Sequence, residues 1–209
     1  MSERVESDEY PWPKKGDDPF ALLTQDTRLI ACLNFTHDEP WGGYAEGFKR
    51  LADLGVAHCA KTGNDQDFLV YPIFFSYRHY IELALKEIIR AARRLLDERG
   101  GVPENHNLTD LWNTAEPLLK RIEPKSSATY RDVRACLAHF TRLDPTSEAG
   151  RYPVKTDGKL SLPEDLYHLD LGQLRDVVER LNGFLEAAAE QTLVYLDYKA
   201  EMACEFDPG

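Results

Sequence analysis

The stretch Phe74–Leu95, FFSYRHYIELALKEIIRAARRL, decides the fold class of this chain. Phe74, Tyr77, Ile81, Leu85, Ile88, Ala92 and Leu95 recur at spacings of three and four. That is the repeat of one face of an α-helix. The glycine pair Gly100-Gly101, with Pro103 just beyond, reads as its end. Upstream, Tyr44, Phe48, Leu51, Leu54/Gly55 and His58/Cys59 carry the same spacing and predict an earlier helix with that stripe inward.

Three more helices follow downstream. Asn107 is a candidate N-cap for one that buries Leu108, Leu111, Trp112, Ala115, Leu118 and Ile122 before Pro124. Ser126 or Ser127 would cap the next, with Tyr130, Val133, Leu137 and Phe140 inward and Pro145 past its end. The last opens at Asp170, where Asp-x-x-Gln resembles a capping box, and buries Leu174, Val177/Val178, Leu181, Phe184/Leu185, Ala188 and Leu196. The stretch from Arg151 to Leu162 departs from this repeat. Its Asp157-Gly158 lies between two short extended segments, the local signal of a β-hairpin. The expectation is a mainly α protein: an up-and-down bundle of about five helices with a small β-hairpin insertion near residues 150–163. Residues 1–19 hold six carboxylates and three prolines and read as an acidic N-terminal arm, with Trp12 as its anchor. The domain proper would then span 20–209. Ile30–Leu33 suits a short strand or a buried helical turn.

Composition removes several function classes. The 209 residues hold 36 Asp and Glu against 25 Lys and Arg, a formal net charge of -11. Phosphate affinity comes from excess Lys and Arg, so wholesale coating of a nucleic acid is disfavoured, though a local basic groove is not. No apolar run approaches the roughly 18 residues a membrane helix needs, and the N-terminus is acidic where a signal peptide is basic. A cytoplasmic protein without membrane contact is expected. Cys32, Cys59, Cys136 and Cys204 lie far apart with no C-x-x-C pair, so they read as buried small hydrophobes, and no metal or cofactor is expected. The glycine-rich nucleotide loops, the G-x-S-x-G elbow and the H-E-x-x-H zinc motif are all missing.

Four segments in consistent order carry a family resemblance. They are GYAEGFKR (Gly43–Arg50), YPIFFSYRHYIELALK (Tyr71–Lys86), His106-Asn107-Leu108, and Arg151-Tyr152-Pro153-Val154. Together they resemble uncharacterised bacterial proteins of the HEPN (higher eukaryotes and prokaryotes nucleotide-binding) type, from about residue 43 to about 190. The resemblance implies a helical bundle that often dimerises. Many such proteins are metal-independent RNases of toxin–antitoxin or phage-defence systems, with four to six residues between an Arg and a following His. Others serve as binding or interaction modules.

Two stretches match that spacing: Arg134-Ala-Cys-Leu-Ala-His139 and Arg99-Gly-Gly-Val-Pro-Glu-Asn-His106. Both have a small residue, Ala135 or Gly100, where the family has a polar one. With 15 Arg and 6 His in the chain, roughly 1.3 matches are expected by chance. His139 would serve as acid and base and Arg134 would stabilise charge on a scissile phosphate. On an uninterrupted helix, however, residues five apart point about 140° away from each other. The pair then needs a dimer groove or a distorted helix to converge. The other reading makes Arg134 a surface ion-pair partner and His139 a helix-end residue.

Arg78, His79, Glu82 and Lys86 form the second candidate, a polar cluster inside an apolar helix. Buried charge is costly unless paired. The cluster therefore predicts either a tie from this helix to a neighbour, such as Arg151-Tyr152, or a pocket for nucleotide or RNA phosphate with His79 titrating. Arg90, Arg93, Arg94 and Arg99 read as a solvated face or as a phosphate-contacting stripe, and His106 as a capping or packing residue. Two functions stay open: a HEPN-like RNase of a defence or toxin-type system, and a non-catalytic module. The module would bind another protein, a second copy or a nucleotide.

Overall fold

Helix α2 runs from Gln66 to Leu95 and packs against α1 (Pro40–Thr62), α3 (Leu108–Ile122) and α5 (Leu171–Phe206). Helix α4 (Ser127–Leu143) packs on α3, and α1 also touches α5. This computed structural model describes residues 12–22, 24, 26–33, 40–124 and 127–206. The chain divides into two units, residues 1–35 and 36–209. In the first unit, Asp26 caps a single 3-10 turn, Thr27–Leu29, and pairs with Arg28 at 2.7 Å. Ile30 and Leu33 are exposed, so the expected strand or buried turn is not there among the described residues. The bundle belongs wholly to the second unit.

The stripe predicted for α2 is the spine of the core. Phe74, Tyr77, Ile81, Leu85, Ile88 and Ala92 are all buried. Pro72 lies inside the helix yet does not break it. A proline deprives the carbonyl four residues earlier of its donor. That carbonyl belongs to Phe68, 79% exposed, where water can serve it. Pro117 in α3 sits in the same way, on the exposed side with Asn113. The end of α2 comes earlier than expected: Asp97 takes the left-handed conformation at φ 55°, and the chain leaves the helix before reaching Gly100. Asp is among the few residues that tolerate this region.

Helices α3 and α4 bury the residues that their periodicity predicts, with Ile122 half-buried, while α5 buries Val178, Leu181 and Leu185 and leaves Leu174, Phe184, Ala188 and Leu196 half-buried. Asn107 caps α3, accepting from Thr109 N at 3.0 Å and Asp110 N at 3.1 Å. Trp112 of α3 fits between Tyr130 of α4 and Phe184 of α5, with ring centroids 6.0 and 5.8 Å away. Asp170 caps α5 through Gln173 N at 2.9 Å. The cap proposed at Ser126 or Ser127 falls outside the described residues and side chains.

Three expectations are corrected. First, the inward face of α1 is rotated from the predicted stripe: Phe48, Gly55 and Cys59 do face the core, but the rest does not. Ala45, Ala52 and Val56 are buried, while Tyr44, Leu51 and Leu54 are 63%, 59% and 68% exposed. The cause is close approach: a Cβ on Gly55 would lie 2.8 Å from Ile73 Cγ1, so a small residue is needed at that crossing, while Phe48 packs on Phe75 and His79 a little further along. Second, the hairpin is reduced to one isolated antiparallel bridge, Val154 to Leu160. The Asp157-Gly158 turn closes, with Gly158 at φ 82° and Lys155 N donating to Lys159 O at 2.8 Å. Pro153 then accepts from Ser161 N at 3.0 Å but has no N–H to return, and pairing stops. Third, Cys32 is exposed, and Cys59 and Cys136 are half-buried; none of these is a fully buried core residue. Burial still raises the Cys136 thiol above its ordinary pKa, against the opposing charge of Arg180.

Candidate functional site

The polar cluster of α2 closes around Glu82, whose side chain is 1% exposed. Spacing of four residues places Arg78, Glu82 and Lys86 on one helix face. Arg78 Nη1 donates to Glu82 Oε2 at 3.1 Å, and Lys86 Nζ donates to Glu82 Oε1 at 2.9 Å. Glu82 Oε1 also meets His106 Nδ1 at 2.8 Å, just before α3 begins. Arg78 is 0% exposed and spends its remaining donors on two loops. Its Nε donates to the Asp144 carbonyl at 3.1 Å, and its Nη2 to the His106 carbonyl at 2.6 Å. The Asp144 carboxylate lies 3.3 Å from the same Nε. Two carboxylates therefore balance two cations, and His106 completes the ring. Burial pushes the Glu82 carboxyl upward, but the hydrogen bonds from Lys86 and His106 outweigh it and leave its pKa below the ordinary value.

This arrangement fastens the loop before α3 and the loop after α4 to the middle of α2. The tie runs to His106 and Asp144, and not to Arg151-Tyr152. Arg151 instead lies 5.5 Å from the ring centroid of Phe75, one turn up the helix. His79 does not join the cluster. Its ring stacks on Phe75 at 5.4 Å and meets the edge of Phe48 at 4.5 Å. Burial lowers its pKa below the ordinary histidine value, and Arg78 and Lys86 add to that against the pull of Glu82.

The candidate catalytic pair shares no contact. Helix α4 is continuous from Ser127 to Leu143, so Arg134 and His139 diverge as helical geometry requires. Arg134 is clamped onto α3, with Nη1 on Asn113 Oδ1 and Nη2 on Glu116 Oε2, each at 2.6 Å. Lys120 holds the other oxygen of Glu116 at 2.6 Å. Burial would raise the Glu116 carboxyl, but its bonds to Lys120 and Arg134 hold it below the ordinary range. His139 has a different arginine beside it: Arg142 Nη2 lies 3.0 Å from its Nδ1, both exposed.

The second Arg–His match is also not brought together. Arg99 is exposed in the loop after α2, while the His106 ring, 54% exposed, turns onto Glu82. The arginine stripe loses Arg99 because α2 ends at Leu95. Arg93 turns back to the Gly101 carbonyl, and Arg90 is half-buried, its pKa lowered first by burial and then by Arg94.

His106 and Asp144 are the residues that sequence reasoning missed as partners of Arg78 and Glu82. Both lie in loops, where no repeat assigns a face. The one usable signal was the need to balance buried charge. Among the described residues, no group of three or more His, Cys, Asp or Glu is placed to hold a metal ion, and no helix is long and apolar enough to cross a membrane. Comparison with protein-family models, with curated proteins and with solved structures finds no match to this chain.

Proposed function

We propose that this chain is a HEPN-like helical interaction module of a prokaryotic defence or toxin-type system, acting in the cytoplasm as a homodimer built on α1. The observation that carries this reading is the exposed line Tyr44, Leu51 and Leu54 on one face of α1. A second copy is the occupant that suits its charge. Helix α1 has three basic residues (Lys49, Arg50, Lys61) against two acidic ones (Glu46, Asp53), in a chain of net charge -11. Two such faces meet without the repulsion that the rest of the acidic surface would bring. Sedimentation of wild type should show a dimer, and Leu51→Glu with Leu54→Glu should give a monomer with unchanged circular dichroism and melting temperature. A wild type that stays monomeric at every accessible concentration overturns the proposal.

A second reading rests on the exposed pair His139 and Arg142. A metal-independent RNase would use His139 as acid and base, with Arg142 in the place that the motif assigns to Arg134. Here RNA is degraded in EDTA by wild type and spared by His139→Ala and Arg142→Ala. Arg134→Ala would lose stability and not the chemistry. Intact RNA with all four proteins folded removes this reading.

A further inference from the structure

The segment after α4 returns along α2 and bounds an open cavity between them. Gly150 is pressed onto the helix: a Cβ there would fall 2.7 Å from Phe75 Cβ and 3.0 Å from the Tyr71 carbonyl oxygen. That contact fixes the start of Arg151. Arg151 Nε donates to the Ser147 carbonyl at 2.7 Å, and the guanidinium lies 5.5 Å from the ring centroids of both Phe75 and Tyr152. Among the described residues Arg151 makes no ion pair. Arg151 is exposed; the bond at Nε and the two rings orient the group and, among the described residues, leave its terminal N–H fork without a protein acceptor.

Arg151 lines a cavity of about 510 Å³ whose apolar wall includes Tyr71, Pro153, Leu160, Leu162 and Leu166. Ser161 also lines it, is only 4% exposed, and has its hydroxyl oxygen buried with no hydrogen-bond partner among the described residues. An unpaired buried hydroxyl is unfavourable and is rare without a reason. Glu164 is the carboxylate on the lining, on the exposed side. A second cavity of about 570 Å³ shares Tyr71, Leu162 and Leu166 in its lining and reaches Tyr167 and His168. Apolar walls with a few polar groups, at this size, are the usual make-up of a small-molecule site.

We infer that this cavity binds a small organic anion: an apolar body against Tyr71, Leu160 and Leu166, and a carboxylate or phosphate head on the Arg151 fork. A planar guanidinium held from behind pairs with such heads in bidentate fashion. The site is separate from the exposed line of α1, and neither proposal depends on the other.

Three fluorescent probes of one shape test it: naphthalene-2-carboxylate, 2-naphthyl phosphate and neutral 2-naphthylmethanol, titrated by anisotropy against the full chain. Wild type should bind at least one anionic probe roughly tenfold or more tighter than the alcohol, the size expected of one charge-assisted contact. Which anion wins identifies the head group. Arg151→Gln should lose that difference and still bind the alcohol as wild type does. Ser161→Leu, which fills the cavity floor, should weaken all three. Melting curves run alongside, and if Arg151→Gln is unfolded, Arg151→Lys keeps the charge, loses the fork and should narrow the difference. No anionic probe bound above the alcohol, or anion binding unchanged in a folded Arg151 variant, overturns the inference.

Discussion

Glu82 is almost wholly removed from water and yet keeps its charge, because Arg78, Lys86 and His106 all turn to it. Removing it leaves Arg78 buried with one carboxylate less. Breaking a buried pair in this way costs about 3–5 kcal/mol. Glu82→Leu should therefore lower the urea-unfolding free energy by that order. The double variant Arg78→Met with Glu82→Leu should recover only part of it, because Asp144 then loses Arg78 and Lys86 loses Glu82. The carboxyl also sets a pH dependence. Its folded pKa is below the ordinary value of 4.5, so its stabilising contribution is complete above that pH. The contribution is lost as pH falls toward the lowered folded value, where the folded chain takes up the proton. Lys86→Met removes the strongest of the bonds that lower it. Its acid-unfolding midpoint, followed by circular dichroism, should lie at higher pH than that of wild type.

Among the elements, α3 shows local chemistry and packing in agreement. Asn107 holds two amides of the first turn, and Asn107→Ala should cost about 1 kcal/mol in thermal or chemical unfolding. A loss near zero would mean that packing of Trp112 alone holds the helix. This helix was readable because its cap, stripe and terminating Pro124 all lie within a few residues of one another. Helix α1 was readable as a helix, and Phe48, Gly55 and Cys59 do face the core, but the full inward face was not, for a physical reason. Periodicity selects large apolar residues such as Tyr44 and Leu51, whereas the close approach of Gly55 to Ile73 selects small ones. The candidate site divides in the same way. Arg78, Glu82 and Lys86 follow from spacing within one helix, but His106 and Asp144 reach them from loops 24 and 66 residues away from their partners. Arg134 and His139 follow from a spacing that a straight helix cannot bring together.

At the scale of the bundle, α2 is the hub: it packs against α1, α3 and α5, and α4 joins through α3. Tyr80 of this helix bonds Asn182 of α5 across 102 residues, and Lys199 of α5 reaches the Leu95 carbonyl and the Asp97 carboxylate. The middle of the segment between α4 and α5, residues 151–160, is in contrast exposed throughout and contributes a single bridge and a turn. That contrast makes the molecule divisible without being separable. A protease that cleaves after Lys155 or Lys159 should yield two fragments in a denaturing gel that still elute together as one native particle. The two fragments, expressed apart, should reassemble when mixed, which gives a ready-made split reporter; elution of the nicked chain as two separate species would show that α5 is held less firmly than its contacts with α2 imply.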